Sequence, residues 1–549
     1  MTPNRQSSSK QHPAQTQPQR IVKVAVVGSG LAGLTASYLL ATLNTRCDVE
    51  YPGGNDVEFE VHVFEQASSL GMDSHSVSFT RGGEEWRVDV PMRSFQGGYY
   101  PQLIALYAHL GVRTRQTDFS YSFSTLSTTA GAEKGLKPEY NPHFIYDGAS
   151  GRQGLSIPTA DVRHAQGFGR LFAWISSILH TLLILGLFLR FLVLSAPFLR
   201  PAPSVTWEEW AAQSAPRGPL ARWTGLTRAW DEFLAHLCIP IFSAVCTASA
   251  DDVRMHPAEE FLEFNWKTFG THHYVVADGV RDVVARLSAP LELKNVHLDS
   301  PVTSLKPDEH GDGLVDIQCG QSVYRGFAHV ILATPANRAA PLVQTYAEQL
   351  ARIRSTSARR TTEFAACLSR VAYRESIVVN HTDPAFLPND AQDRRDLNMV
   401  TVAPEARHTF SEKHSPLVVA PSYTMTTHRL PRPEGRRTSP TSVDEAIYQT
   451  TNPVIPPSPD RVLSVSRLER ALLTVDGKAA VRELYGPMGL QGSARRELGV
   501  GAAGIWAVGA YAAGGIPLLE GCVESALAVT VGENGIFAAE GGMVHGTLW

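Results

Sequence analysis

The stretch VAVVGSGLAGLTASYLL, Val24–Leu40, decides the fold. Val24 to Val27 form an apolar run short enough for a buried strand, and the run ends on Gly28. Gly28, Gly30 and Gly33 then spell G-x-G-x-x-G around Ser29, Leu31 and Ala32, and an apolar helix follows at once. The three glycines serve different ends. Gly28 permits a tight turn, Gly30 lets backbone approach a pyrophosphate, and Gly33 lets the helix lie on the strand. The helix start offers free N–H groups and the positive end of the macrodipole, so the pattern is written for a dinucleotide. A second strand, VEFEVHVFEQ at Val57–Gln66, ends on Glu65 and Gln66 and supplies the acid that such folds set against a ribose. Glu65 stands farther from Gly33 than the usual ~20 residues. The excess reads as a loop insertion over Cys47–Asp56, which contains Pro52, Gly53 and Gly54.

A chain of 549 residues exceeds one ordinary core, so two or more domains are expected. Hydrophobic content of 43% and charged content of 19% describe a globular protein, and a net charge of −4 without a basic stripe speaks against nucleic acid. The six cysteines (47, 238, 246, 319, 367 and 522) show no metal-like spacing with histidine, which predicts a reducing compartment and no metal site. Residues 1–20 are rich in Gln, Ser and Pro and read as a disordered tail, and Pro431–Pro440 as an exposed loop.

One segment stands apart. Leu171–Leu199 holds only His180 and Arg190 as ionisable groups, bracketed by Arg170 and Arg200, and Leu171–Leu189 alone reaches the length of a bilayer span. A single crossing would put the glycine loop and the C-terminal part of the chain on opposite sides. The segment is therefore expected to make no net crossing: a re-entrant hairpin bent near Gly186 and Arg190, an interfacial pair of helices, or a buried core helix. Attachment to the cytoplasmic side of an intracellular membrane, or otherwise a cytoplasmic location, is the matching expectation.

Further blocks carry a resemblance. VAVVGSGLAGL and FEQASSLG are joined near the C-terminus by GIWAVGAYAAGGIPLLEGCVESALAV, Gly504–Val529, which reads as a strand, a glycine loop and a helix. Together they resemble the flavin-dependent amine oxidase and phytoene desaturase superfamily, closest to its NAD/FAD-binding oxidoreductase branch of bacteria and fungi. HVILATPANRAAPLV (His329–Val343), DSPVTSL (Asp299–Leu305), VVADGVRDVVARL (Val275–Leu287) and VDVPMRSFQGGYYPQLIALYAHLGV (Val88–Val112) are similar to its segments in the same order. The resemblance implies an α/β chain with a discontinuous Rossmann-type FAD domain, residues 21–120, 275–340 and 455–535. A substrate domain from residues 121–274, carrying the hydrophobic segment, and 341–454 is inserted, and 536–549 forms a tail. It further implies FAD contacts at Gly71, Met72, Val302, Gly509, Ala510 and Leu519, besides the glycine loop and Glu65.

The departures are specific. Met72-Asp73 stands where the family carries an arginine for the diphosphate, and Ala510-Tyr511 where it carries an acid for the ribityl chain. Cys522 is misplaced for covalent attachment, so the flavin is expected to be non-covalent. No aromatic cage for an amine is evident, and Lys267 is the weak match for the lysine near flavin N5.

The candidates for catalysis are Tyr511, His273 and Arg93. Tyr511 follows the C-terminal strand and could reach the flavin or simply pack. His272 and His273 could supply a base or lie on a solvated turn. Arg93 could meet an anionic head group, the flavin diphosphate or a surface carboxylate. His381 and Asp383 read as a structural turn, and Cys238 and Cys246 as buried apolar residues. The reading is an FAD-dependent oxidoreductase that oxidises or desaturates a hydrophobic small molecule, returning electrons to O2 or another acceptor. The alternatives are an amine oxidase and a non-catalytic membrane-associated subunit. A second G-x-G-x-x-G for NAD(P)H is absent.

Overall fold

The structure is a computed structural model. It describes residues 20–549 apart from 47, 53–55, 74–75, 82–83, 130–136, 149–152, 157, 159–167, 309–312, 412–414, 432–445, 486–502 and 546–548. The expected N-terminal tail and most of the Pro431–Pro440 loop lie outside the described residues.

The glycine stretch folds as a strand, β1 (Arg20–Val27), a turn, and a helix, α1 (Leu31–Leu43). Then come β2 (Val57–Phe64) and a helix on the far side of the turn, α2 (Pro101–His109), followed by a long apolar helix, α3 (Phe168–Leu194). Later come β3 (Val296–His297), β4 (His329–Leu332), β5 (Val462–Leu472), β6 (Ile505–Ala507) and α4 (Leu519–Thr530).

Five strands form one wholly parallel sheet in the order β3-β2-β1-β4-β6. Val24 to Val27 pair with Val61 to Phe64 on one side and with His329 to Leu332 on the other. A central parallel strand is covered on both faces, and Val24, Ala25 and Val26 are accordingly fully buried. The φ of +99° at Gly28 is one that an L side chain rarely adopts, and a Cβ at Gly33 would lie 2.0 Å from the Gly28 carbonyl oxygen. The turn therefore closes only with glycine at both positions.

A second sheet of eight mixed strands stands against the first domain. It runs from Leu155–Ser156 through Lys137–Tyr146, Tyr121–Thr129, Leu397–Val402, Met425–Arg429, Tyr448–Thr451 and Ala372–His381 to β5. Two expectations from sequence change here. Residues 462–472 belong to this second sheet, not to the nucleotide domain, because β5 pairs along Ala372–His381 over its whole length. Residues 536–544, expected as a tail, are packed: Ile536 and Phe537 join the core of the parallel sheet, and Met543–Val544 pairs with Val49–Glu50.

The apolar segment also departs from two of its readings. Phe168–Leu194 is one uninterrupted helix, so there is no hairpin bend at Gly186. A glycine inside a helix costs about 1 kcal/mol, too little to break it, and proline first appears at Pro197. Nor is α3 a core helix. Ile184, Leu187 and Phe191 are buried, while Leu179, Leu182, Leu185 and Leu189 are each more than half exposed. Arg190 anchors the covered side, donating to the Ser214 carbonyl at 2.7 Å and lying 5.2 Å above the Trp230 ring. Among the described residues, Leu226–Cys246 has the length and composition to cross a membrane, and 44% of its most apolar window is buried inside the protein.

Candidate dinucleotide site

The start of α1 has no side-chain cap, and a Cβ at Gly30 would meet nothing within 4 Å. An uncapped helix start of this kind can hold a phosphate. Glu65 closes the loop from the side. Its Oε2 accepts the Ser29 N–H at 3.0 Å and the Ser29 hydroxyl at 2.5 Å, and its Oε1 accepts the Ala67 N–H at 2.9 Å. Ser29 Oγ in turn accepts the Gly71 N–H at 2.8 Å. Gln66 is exposed beside them, and Met72 is buried in the same apolar cluster as Leu31 and Leu34. Val302 lies at the start of the strand Val302–Pro307, packed against the core of the parallel sheet.

The C-terminal block arrives at the same place. After β6 the chain turns through Gly509, Ala510 and Tyr511 and enters α4 at Leu519, again with no side-chain cap. A Cβ at Gly521 would sit 2.7 Å from the Ala510 carbonyl oxygen, so turn and helix touch. Ser525 Oγ accepts the Gly509 N–H at 3.0 Å and holds them together. Glu520 reaches outward and accepts the N–H groups of Gln102 and Leu103 at 2.8 and 3.0 Å, capping α2. Its pKa is raised by burial, against those two backbone bonds. Cys522 lies within reach of the backbone of Ala32, in the first turn of α1, and of Ala510. Two helix starts, α1 and α4, therefore meet across one thiol, which burial pushes up to about 11.

The three candidate catalytic side chains have separate surroundings. Tyr511 is buried in the core of the parallel sheet with its ring folded against Gly509. His273 sits in a short strand between Ser94–Gln96 and Thr114–Gln116, 3.2 Å from the Tyr121 hydroxyl. Burial lowers its pKa to about 4, so it is neutral. His272 is bound to Asp118 at 2.8 Å. Arg93 lies at the other end of the Ser94–Gln96 strand from the His273 pairing, with an enclosed Nε that has no hydrogen-bond partner. Lys267 is paired with Glu263 at 2.6 Å and stands 5.7 Å from the Tyr99 ring. His381 bonds Thr450 Oγ1 at 2.7 Å and the Asp383 N–H at 3.0 Å, and Asp383 caps the turn at Pro384.

Sequence reasoning missed Arg470. It lies on β5, whose residues alternate between exposed and covered, and its side is the covered one, between Leu468 and Leu472. A lone charge at an inward position of an alternating strand was the available signal.

A family model described as an NAD(P)-binding Rossmann-like domain matches residues 26–110. No curated protein matches the chain. Among solved structures the chain is similar to three enzymes at low identity. For the CLA-producing fatty acid isomerase from P. acnes, identity is 14% over 93% of this chain and 98% of that one, TM-score 0.49. For cyclohexylamine oxidase from Brevibacterium oxydans IH-35A it is 14% over 92% and 97%, TM-score 0.46. For an oxidoreductase from Methanosarcina mazei it is 12% over 92% and 99%, TM-score 0.48.

Proposed function

We propose that the chain is an oxidoreductase that binds FAD non-covalently and oxidises or desaturates a hydrophobic small molecule. The observation that carries the reading is the meeting of the uncapped starts of α1 and α4 at Ala32, Ala510 and Cys522. One uncapped helix start suits a diphosphate; a second beside it suits a ring that gains negative charge on reduction. Gly28, Ser29, Gly30 and Leu31 would hold the diphosphate, Glu65 the ribose, and Gly509, Ala510 and Leu519 the flavin end. When bound, the flavin supplies the hydride acceptor, leaving orientation, dryness and field to the protein. Tyr99, Tyr100 and Tyr107 are buried in the adjoining apolar cluster, and burial keeps their hydroxyls protonated. An amine substrate is disfavoured there, because an ammonium would approach Arg93 and Arg470, two cations already short of partners.

The exposed face of α3 supports attachment to a lipid surface, and Phe198, Leu220 and Trp223 add further exposed apolar side chains at 84%, 72% and 85%. A cavity of about 390 Å3 opens beneath the helix between Leu183, Leu187, His143 and His236, offering room for an alkyl chain.

The test is the visible spectrum of protein purified in mild detergent, before and after acid precipitation. Bands near ~375 and ~450 nm that pass wholly into the supernatant are expected for a non-covalent flavin. A protein that stays colourless after incubation with FAD would sink the reading.

A further inference from the structure

Leu468, Arg470 and Leu472 lie in a row on the covered side of β5. Leu468 packs with Val88, Val90 and Val378. Leu472 belongs to the cluster of Tyr99, Tyr100, Leu103 and Cys246. Between them, Arg470 spends its Nε on Thr247 Oγ1 at 3.3 Å. Arg93 follows Val90 closely, and the intervening Met92 is pinned by its N–H to Gln449 Oε1 at 3.0 Å. Arg93 thereby comes close enough for its charge to act on Arg470.

Among the described residues neither guanidinium makes an ion pair. The groups that act on them are each other, Tyr100, Tyr107, Cys246, Cys522 and Asp89. Burial keeps both tyrosines and both cysteines neutral. Asp89 is the one acid in that set, and its Oδ2 already accepts the Val280 N–H at 3.2 Å. Burial lowers the pKa of each arginine, and for Arg470 the charge of Arg93 lowers it further. Arginine nevertheless stays protonated in proteins. Arg93 and Arg470 are each half-buried as whole residues, and their guanidiniums are enclosed.

A buried charge without a partner costs several kcal/mol, and two that repel cost more. An arriving anion would offset that cost, and two planar forks suit an acid with two or three oxygens. We propose that Arg93 and Arg470 form a seat for the acidic group, carboxylate or phosphate, of the substrate, which makes the substrate an anionic amphiphile. Calling that ligand a substrate rests on the flavin reading above. The dinucleotide's own diphosphate is the competing anion, and the experiment separates the two.

cis-Parinaric acid and its methyl ester are titrated by fluorescence into the full-length protein at matched detergent, with flavin content read separately near ~450 nm. The acid is expected to bind about thirty-fold more tightly than the ester, the worth of one charge-assisted hydrogen-bonded contact. Arg93→Met and Arg470→Met should each remove most of that preference while flavin content stays unchanged. Each should also raise the Tm of the ligand-free protein, which a merely structural arginine would not do. Arg470→Lys, which keeps the charge without the fork, should restore part of the preference. Competition by palmitate or by hexadecyl phosphate then tells which acid is favoured. Equal binding of acid and ester by the wild type would overturn the proposal. So would variants that lose flavin but keep the acid preference, since the pair would then serve the diphosphate. A wild type that prefers the acid yet never takes up flavin would overturn the flavin reading alone.

Discussion

α1 and α3 are both apolar along nearly their whole length, and the protein treats them in opposite ways. α1 buries ten of its thirteen residues between the parallel sheet and α4. α3 buries a narrow line at Ile184, Leu187 and Phe191 and leaves the rest of its described face open. An apolar helix must be covered, but apolarity does not say by what. In α1 the cover is protein, fixed by glycines that bring backbone onto backbone. In α3 the cover is proposed to be lipid, and the polar contact of Arg190 sets which side stays with the protein.

The contrast can be broken by substitutions on each helix. Leu34→Ala, at a fully buried position of α1, should lower unfolding stability by about 4 kcal/mol, read from denaturant midpoints. A loss under about 1 kcal/mol would mean that α1 is not packed as described. At α4, the partner of α1, the expected effect is electrostatic. The carboxyl of Glu524 is pushed up from 4.5 to about 7, chiefly by burial and then by Glu520, with Glu263 adding and Lys267 opposing. Such a group holds its proton more firmly folded than unfolded. Its contribution to stability should therefore be greatest below pH 4.5, fall as pH rises to about 7, and then level off. Glu524→Gln should flatten that slope, by up to about 3 kcal/mol across the window. A profile unchanged by the substitution would place the titration elsewhere. The smallest effect on stability belongs to α3. Leu182, Leu185 and Leu189 replaced together by Ser should shift stability by less than about 0.5 kcal/mol each. The same variant should leave the membrane fraction on sedimentation, with flavin content retained. Continued sedimentation with vesicles would refute lipid as the cover.

What could be read before folding follows the same line. The Gly28–Gly33 turn and its neighbours were readable because their roles rest on backbone geometry, which one glycine pattern dictates locally. The single-helix form of α3 was not, since Gly186 offers a bend without requiring it. Ile536 and Phe537 looked like a tail because only the distant parallel sheet gives them somewhere to pack. Arg470 was missed because its significance lies in Arg93, which is remote in sequence and acts on it only in the folded chain. Glu65 was expected to face a ribose. In the fold it binds Ser29 and Ala67 of its own chain, a loop-stitching duty that no spacing rule reveals.

The meeting of α1 with α4 has a consequence for how the protein is made. On the ribosome, α3 emerges some 325 residues before α4 does. At ordinary synthesis speeds that interval is roughly 15 to 65 seconds. A nascent chain thus exposes its most water-averse helix long before its cofactor pocket has a second wall. Delivery to a bilayer during translation would shelter that helix, and the pocket would be completed afterwards, with the chain already in place.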